Sequence, residues 1–345
     1  MRLSSIFLSL ALGLVAAGCG SAELAAESTT TAATTARVST TAAPTTAAPT
    51  TAAPTTAFPA PRGPTAGALC SLTPPAEEPV VVASNALTEV SGIAMSRQHQ
   101  GLAWAHNDSG DSARLHLVDT ETGADLGVWP LEGAFALDWE DMAIHSRGDD
   151  NHLYVADFGD NFRFRPNIRI YRAEEPTDPT TPGPLAVEEF VFTYPDGATD
   201  AESLFIDPDS GDFVIVSKSR DDSPTSIYRG PAQTEPGART TLEKIGEVDL
   251  TDLHPLVTAA DITADGAVIG LRTIDEVLLW ERPAGADIGT VMATAPCVAP
   301  TAPEPQGEAL AFLPDGSGYV TISEGANPPI HRFELGTADP LVAAP

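Results

Sequence analysis

Five stretches of the chain follow one plan at a spacing of about fifty residues, and this repeat limits the fold more than any other feature. The stretches begin at Ser91, Glu140, Glu202, Thr258 and Glu308, which lie 49, 62, 56 and 50 residues apart. Each opens on a short apolar strand, as in Ser91-Gly92-Ile93-Ala94 and Glu308-Ala309-Leu310-Ala311. A turn, a second apolar strand, a polar loop and a third strand then follow. Units of this size with four strands each read as propeller blades, which bury their faces only against one another. From Glu308 to the end 38 residues remain, enough for three strands and a tail. An orphan strand, Val80-Val81-Val82-Ala83, precedes the first repeat and can supply the missing fourth strand of the last blade. The expectation is an all-β, five-bladed β-propeller over residues 78–340, closed by an N-terminal strand.

The region before the ring has a different character. Met1-Arg2 and the apolar run to Ala17 read as an export signal, too short to span a bilayer. Ala16-Ala17-Gly18-Cys19 resembles a lipobox in which Cys19 becomes the lipidated N-terminus, so residues 1–19 are expected to be a lipoprotein signal. Residues 20–77 are expected to form a disordered linker. Thr-Thr-Ala-Ala-Pro recurs there and offers too little apolar bulk to offset the entropy of ordering. Its low-complexity part would hold the ring roughly 35 Å from a membrane as a coil, or up to about 120 Å if extended. The expected location is extracytoplasmic, lipid-anchored to the cell membrane.

The chain carries 48 acidic against 18 basic residues, a formal charge of −30. Nucleic-acid binding is excluded, because phosphate recognition needs a cationic surface. A monomer is expected. Asp207-Pro208-Asp209-Ser210-Gly211-Asp212 looks like a calcium loop, yet it falls between first and second strands, as do Ala264-Asp265-Gly266 and Pro314-Asp315-Gly316. All three are read as hairpin turns. The seven histidines lack zinc spacing. Cys70 and Cys297 flank the last blade in sequence and can meet as a disulfide in an oxidising compartment, or remain two free thiols.

The chemistry is expected on the channel axis. First strands of propeller blades line the channel, so Ser91, Glu140, Glu202, Thr258 and Glu308 aim five oxygen-bearing side chains at one point. Three carboxylates about 5 Å apart repel by roughly 3 kcal/mol per pair at an effective dielectric near 20. Protons or a cation must compensate. The hard oxygen set suits calcium, and no soft ligand for zinc or copper accompanies it. Loops after the second strands crowd the same face, including His106-Asn107-Asp108, Asp157-Phe158-Gly159, Lys218-Ser219-Arg220 and Arg272-Thr273.

The series Ser91, Glu140, Glu202, Thr258, Glu308 resembles the axial calcium site of the five-bladed calcium-activated nucleotidases (apyrases), which have Ser where this chain has Thr258. The likeness covers about residues 80–340. Ser91-Gly92-Ile93, Trp139-Glu140-Asp141 and Gly307-Glu308-Ala309 fit its strand starts. The basic cluster that grips nucleotide phosphates in that family has no counterpart here. The opening Val90-Ser91-Gly92-Ile93-Ala94 is also similar to that of bacterial exported phytase-like and SdiA-regulated-type propellers.

Two functions stay open at this point. One is a calcium-dependent hydrolase of a phosphorylated or otherwise anionic small molecule, with Asp157 or Asp108 as general base and Lys218 meeting the anion. The other is a non-catalytic surface module that binds a glycan or protein on the same face.

Overall fold

A computed structural model describes residues 63–74, 78–220 and 224–336. The export signal, Cys19 and most of the linker lie outside the described residues. Five antiparallel sheets follow one another along the chain, each beginning with an inner strand: Val90–Met95, Trp139–Arg147, Ala201–Ile206, Val257–Ile262 and Gly307–Phe312. Each inner strand packs against the next, and the fifth packs against the first, so the ring closes. The architecture is a five-bladed β-propeller.

The last blade completes itself across the chain ends. Its three C-terminal strands are joined by Val80–Val81, which pairs antiparallel with Pro329–Glu334 through Val80↔Ile330 and Val81↔Pro329. Ala83 then bridges to Ala124 of blade one, so this short segment holds both sides of the closing seam. Gly123 makes the approach possible, since a Cβ there would lie 2.0 Å from the Val81 carbonyl oxygen. Sequence reading did not foresee two fringe strands. Leu185–Ala186 and Arg239–Thr241 add in parallel to the outer edges of blades one and two. Each comes from the link between the third and fourth strands of the following blade and covers an edge that would otherwise be open.

One apolar cluster fills each interface between neighbouring blades. Trp104, Trp129, Trp139 and Tyr171 lie between blades one and two, and Phe190, Phe192 and Phe213 between two and three. Aliphatic residues such as Val82, Ile93, Val320 and Ile322 fill the closing interface. Inner strands are buried on both faces, so they read as continuous runs of apolar and small residues with no alternation. Asp207, Asp265 and Asp315 stand in hairpin turns whose glycines, Gly211, Gly266 and Gly316, have φ of +77°, +72° and +73°. Arg282 of blade four clasps Asp207 with two hydrogen bonds of 2.8 and 3.2 Å, so this turn also ties blade three to blade four.

A five-residue helix, Ala66–Cys70, packs between blades four and five and carries a disulfide from Cys70 to Cys297 of the fourth blade's outer strand. The bridge closes a loop with a sequence separation of 227 residues. Replacing both cysteines by serine is therefore expected to cost about 2–4 kcal/mol in denaturant unfolding. An unchanged midpoint would show that the clasp adds nothing to the ring. Among the described residues no helix is long and apolar enough to cross a membrane.

Candidate cation site at the channel mouth

The five expected axial residues occupy equivalent places, and a backbone irregularity explains why. In every blade the register between first and second strands slips at the start of the inner strand. The slip falls between Val90 and Gly92, Trp139 and Met142, Ala201 and Ser203, Val257 and Ala259, and Gly307 and Ala309. Each slip puts one extra residue on the inner strand. A bulge of this kind re-aims its side chain. Ser91, Glu140, Glu202, Thr258 and Glu308 all lie within these bulges and all are buried.

Their partners differ. Glu202 receives the Lys218 ammonium and, at 3.1 Å, Nη2 of Arg220, whose Nε also reaches Asp200 at 3.1 Å. Glu308 accepts from the side-chain amide of Gln306. Thr258 donates its hydroxyl to the Gly307 carbonyl at 2.9 Å and so links blades four and five. Glu140 has no hydrogen-bond donor among the described residues, although it is 5 % exposed. Oxygens of Glu140, Asp138 and Asp108 lie within 4.8 Å of one another. The backbone makes room for them at Gly159, where a Cβ would stand 2.1 Å from Glu140 Oε1 and 2.6 Å from Asp138 Oδ2.

Burial and mutual repulsion raise the proton affinity of the whole group. Burial lifts Glu140 well above the ordinary carboxylate range, and Glu202, Asp108 and Asp138 push it the same way. Burial also holds Glu202 at about 8, against the pull of Lys218, and Glu308 at about 7. Asp138 is lifted to about 6 by burial and by Asp108. Lys218 opposes the rise at Glu140, Glu202, Glu308, Asp108 and Glu324, so one ammonium serves five carboxylates. That leaves the mouth short of positive charge.

The groups expected to do chemistry are distributed unevenly. Asp108 belongs to the acidic cluster and is half-buried. Asp157 is buried away from the open rim. Its Oδ1 accepts from Arg165 at 2.8 Å and from the Asp138 backbone N–H at 3.2 Å, so it positions Asp138. Lys218 is 7 % exposed and engaged by Glu202. Arg272 is buried, pairs with Glu304 at 3.0 Å and lies against Gly307, next to Glu308. The residues that sequence reasoning undervalued are Asp138, Gly159 and Arg165. Their only signal was closeness in sequence to Glu140 and Asp157.

The class that fold and site define is a five-bladed propeller with an acid-lined, cation-poor channel mouth. No protein family model and no curated protein sequence matches the chain. Among solved structures it is similar to Raptor from Chaetomium thermophilum, with a TM-score of 0.38 and 11% identity over 77% of this chain. It spans only 30% of that protein's length.

Proposed function

We propose that the protein is an exported, lipid-anchored surface module whose channel mouth holds a divalent hard cation, calcium, and whose loop face binds a macromolecular partner. Glu140 carries the reading: a carboxylate without a hydrogen-bond donor among the described residues, beside Asp138 and Asp108, at a place where Gly159 has no side chain to intrude. Ligands about 2.3–2.6 Å from one calcium ion lie no more than about 5 Å apart, which accommodates the 4.8 Å cluster. Ser91 and Glu308 are the axial oxygens nearest in role, whereas Glu202 is engaged by Lys218 and Arg220. When bound, calcium would supply the missing positive charge and an electrophile for anionic oxygens. The Cys70–Cys297 disulfide supports export, because such bridges persist in oxidising compartments.

Elemental analysis of the purified protein and thermal unfolding with calcium or chelator test the metal. At one hundred times Kd, calcium is expected to add about 2.7 kcal/mol to the wild type. Glu140→Gln should lose most of that gain. Equal melting in calcium and chelator for the wild type would end the metal reading.

The second reading is the hydrolase of a phosphorylated or otherwise anionic small molecule. Asp108, half-buried in the cluster, is the observation in its favour. The internal ion pairs of Asp157 and Lys218 favour the module instead. Calcium-dependent turnover of nucleotides or phosphoesters would reverse that preference.

A further inference from the structure

The large apolar side chains that face solvent are not scattered evenly. Every strongly exposed aromatic residue among the described ones stands on the upper rim of blade two: Phe135 at 75 %, Phe162 at 85 % and Phe164 at 70 %. Leu137, at 60 %, stands with them and immediately precedes Asp138 of the acidic cluster. The other large apolar side chains exposed to a comparable degree, Val81, Leu126 and Val298, are aliphatic. Leaving a phenyl ring in water forfeits roughly 1.5–3 kcal/mol of burial, so a group of three calls for a partner.

The rim is also built rigidly. Asp160 accepts from the backbone N–H of Phe164 at 3.0 Å and of Arg165 at 2.7 Å, while its carbonyl accepts from Arg163 at 2.8 Å. Arg165 reaches back to the carbonyls of Gly159 and Asp157, at 2.8 Å each. The rings of Phe162 and Phe164 thus stand side by side, 6.5 Å apart with planes 28° apart. The neighbouring loop is stitched to this one by Asp138 N–H on Asp157 at 3.2 Å and Gly159 N–H on the Asp138 carbonyl at 3.2 Å. Trp139 Nε1 donates to the Phe135 carbonyl at 2.9 Å and fixes the third ring's backbone. A loop backbone held this way adds little ordering cost of its own to binding.

We propose that this rim docks a polypeptide segment carrying Lys or Arg beside aliphatic or aromatic residues. Its apolar side chains would cover Phe162, Phe164, Phe135 and Leu137, and in the calcium-free protein its cation would face Asp138 and Asp108. The proposal rests on the surface-module reading above. Charge selects this occupant: the chain bears −30, and Glu89 and Glu324 add carboxylates on the same face. A second copy of the chain or an anionic bilayer would meet repulsion there. A guanidinium can both pair with carboxylates and stack on phenyl faces.

The test is fluorescence anisotropy of the purified protein, kept calcium-free with a chelator, with a labelled, amidated peptide of alternating Arg and Leu. The same peptide with Glu in place of Arg and a neutral glucose oligosaccharide serve as further arms. Saturable binding of the basic peptide is expected, weakening as ionic strength rises. The Phe162→Ala, Phe164→Ala double variant, and separately Asp138→Asn, should each raise Kd about tenfold or more. Both rings are exposed, so an unchanged melting temperature of the double variant confirms its fold. Basic-peptide binding that ignores the phenyl rings would overturn the proposal. Phenyl-dependent binding of the oligosaccharide alone would overturn the partner while leaving the module reading intact. No binding in any arm would remove both.

Discussion

Replacing Asp141 by alanine is expected to cost the ring about 3–9 kcal/mol, measured as the shift in denaturant unfolding. Asp141 is fully buried beside Glu140, and its Oδ2 accepts from the backbone N–H of Leu204 at 2.8 Å and of Ala260 at 3.0 Å. Its Oδ1 accepts from Met142 at 2.8 Å. One carboxyl group therefore joins the inner strands of blades two, three and four across the channel. Alanine would leave three buried donors without an acceptor, each costing about 1–3 kcal/mol. Asp141→Asn keeps one oxygen and should lose roughly half as much, because its amide nitrogen faces a backbone donor. Asp261 repeats the device between blades four and five, accepting from Ile262 at 2.8 Å and Phe312 at 2.7 Å. An Asp141→Ala variant as stable as the wild type would show that interface packing alone holds the ring.

The metal-free protein should lose about 3 kcal/mol of stability between about pH 6.5 and pH 8.5. The sign follows from where protons reside. An unfolded glutamate ionises near 4.5, whereas Glu308 holds its proton to about 7 and Glu202 to about 8. Above the unfolded value the native state binds more protons, so stability present in acid is lost as pH climbs through the folded values. Two histidines act oppositely. Burial lowers His106 and His145 to about 4 from 6.5, so their contribution is present above the unfolded value and is lost as pH falls through the folded one. Carboxylate and histidine effects oppose each other up to about pH 6.5, and the carboxylates act alone above it. A 3 kcal/mol loss corresponds to a fall of roughly 6–12 °C in melting temperature. Calcium at the mouth would compensate the ionised carboxylates and flatten the alkaline side. Glu308→Gln should make that side shallower even without metal. A melting temperature independent of pH between about 6.5 and 8.5 would rule out shared protons at the mouth.

Much of the ring is legible before any coordinates. Inner strands announce themselves because burial on both faces demands unbroken apolar and small residues, as in Val257–Ile262 and Gly307–Phe312. The closing strand at Val80 follows from strand counting, and the turns at Asp265 and Asp315 from the backbone angles that Asp-Gly supplies. The five bulged positions are legible too, since polar residues there interrupt apolar runs at a constant place. The fringe strands Leu185–Ala186 and Arg239–Thr241 are not, because two or three residues carry no periodicity.

The sequence by itself determined the number of blades, the closure and the five equivalent positions at the inner-strand starts, because repetition and burial leave their pattern along the chain. Only the tertiary structure decided how those residues share charge. Glu202 is engaged by Lys218 and Arg220, Asp157 by Arg165, while Glu140 stands with Asp138 and Asp108 over Gly159. Proton affinity and ion pairing depend on distances of a few ångströms and on exclusion of water, and neither is a property of order along the chain.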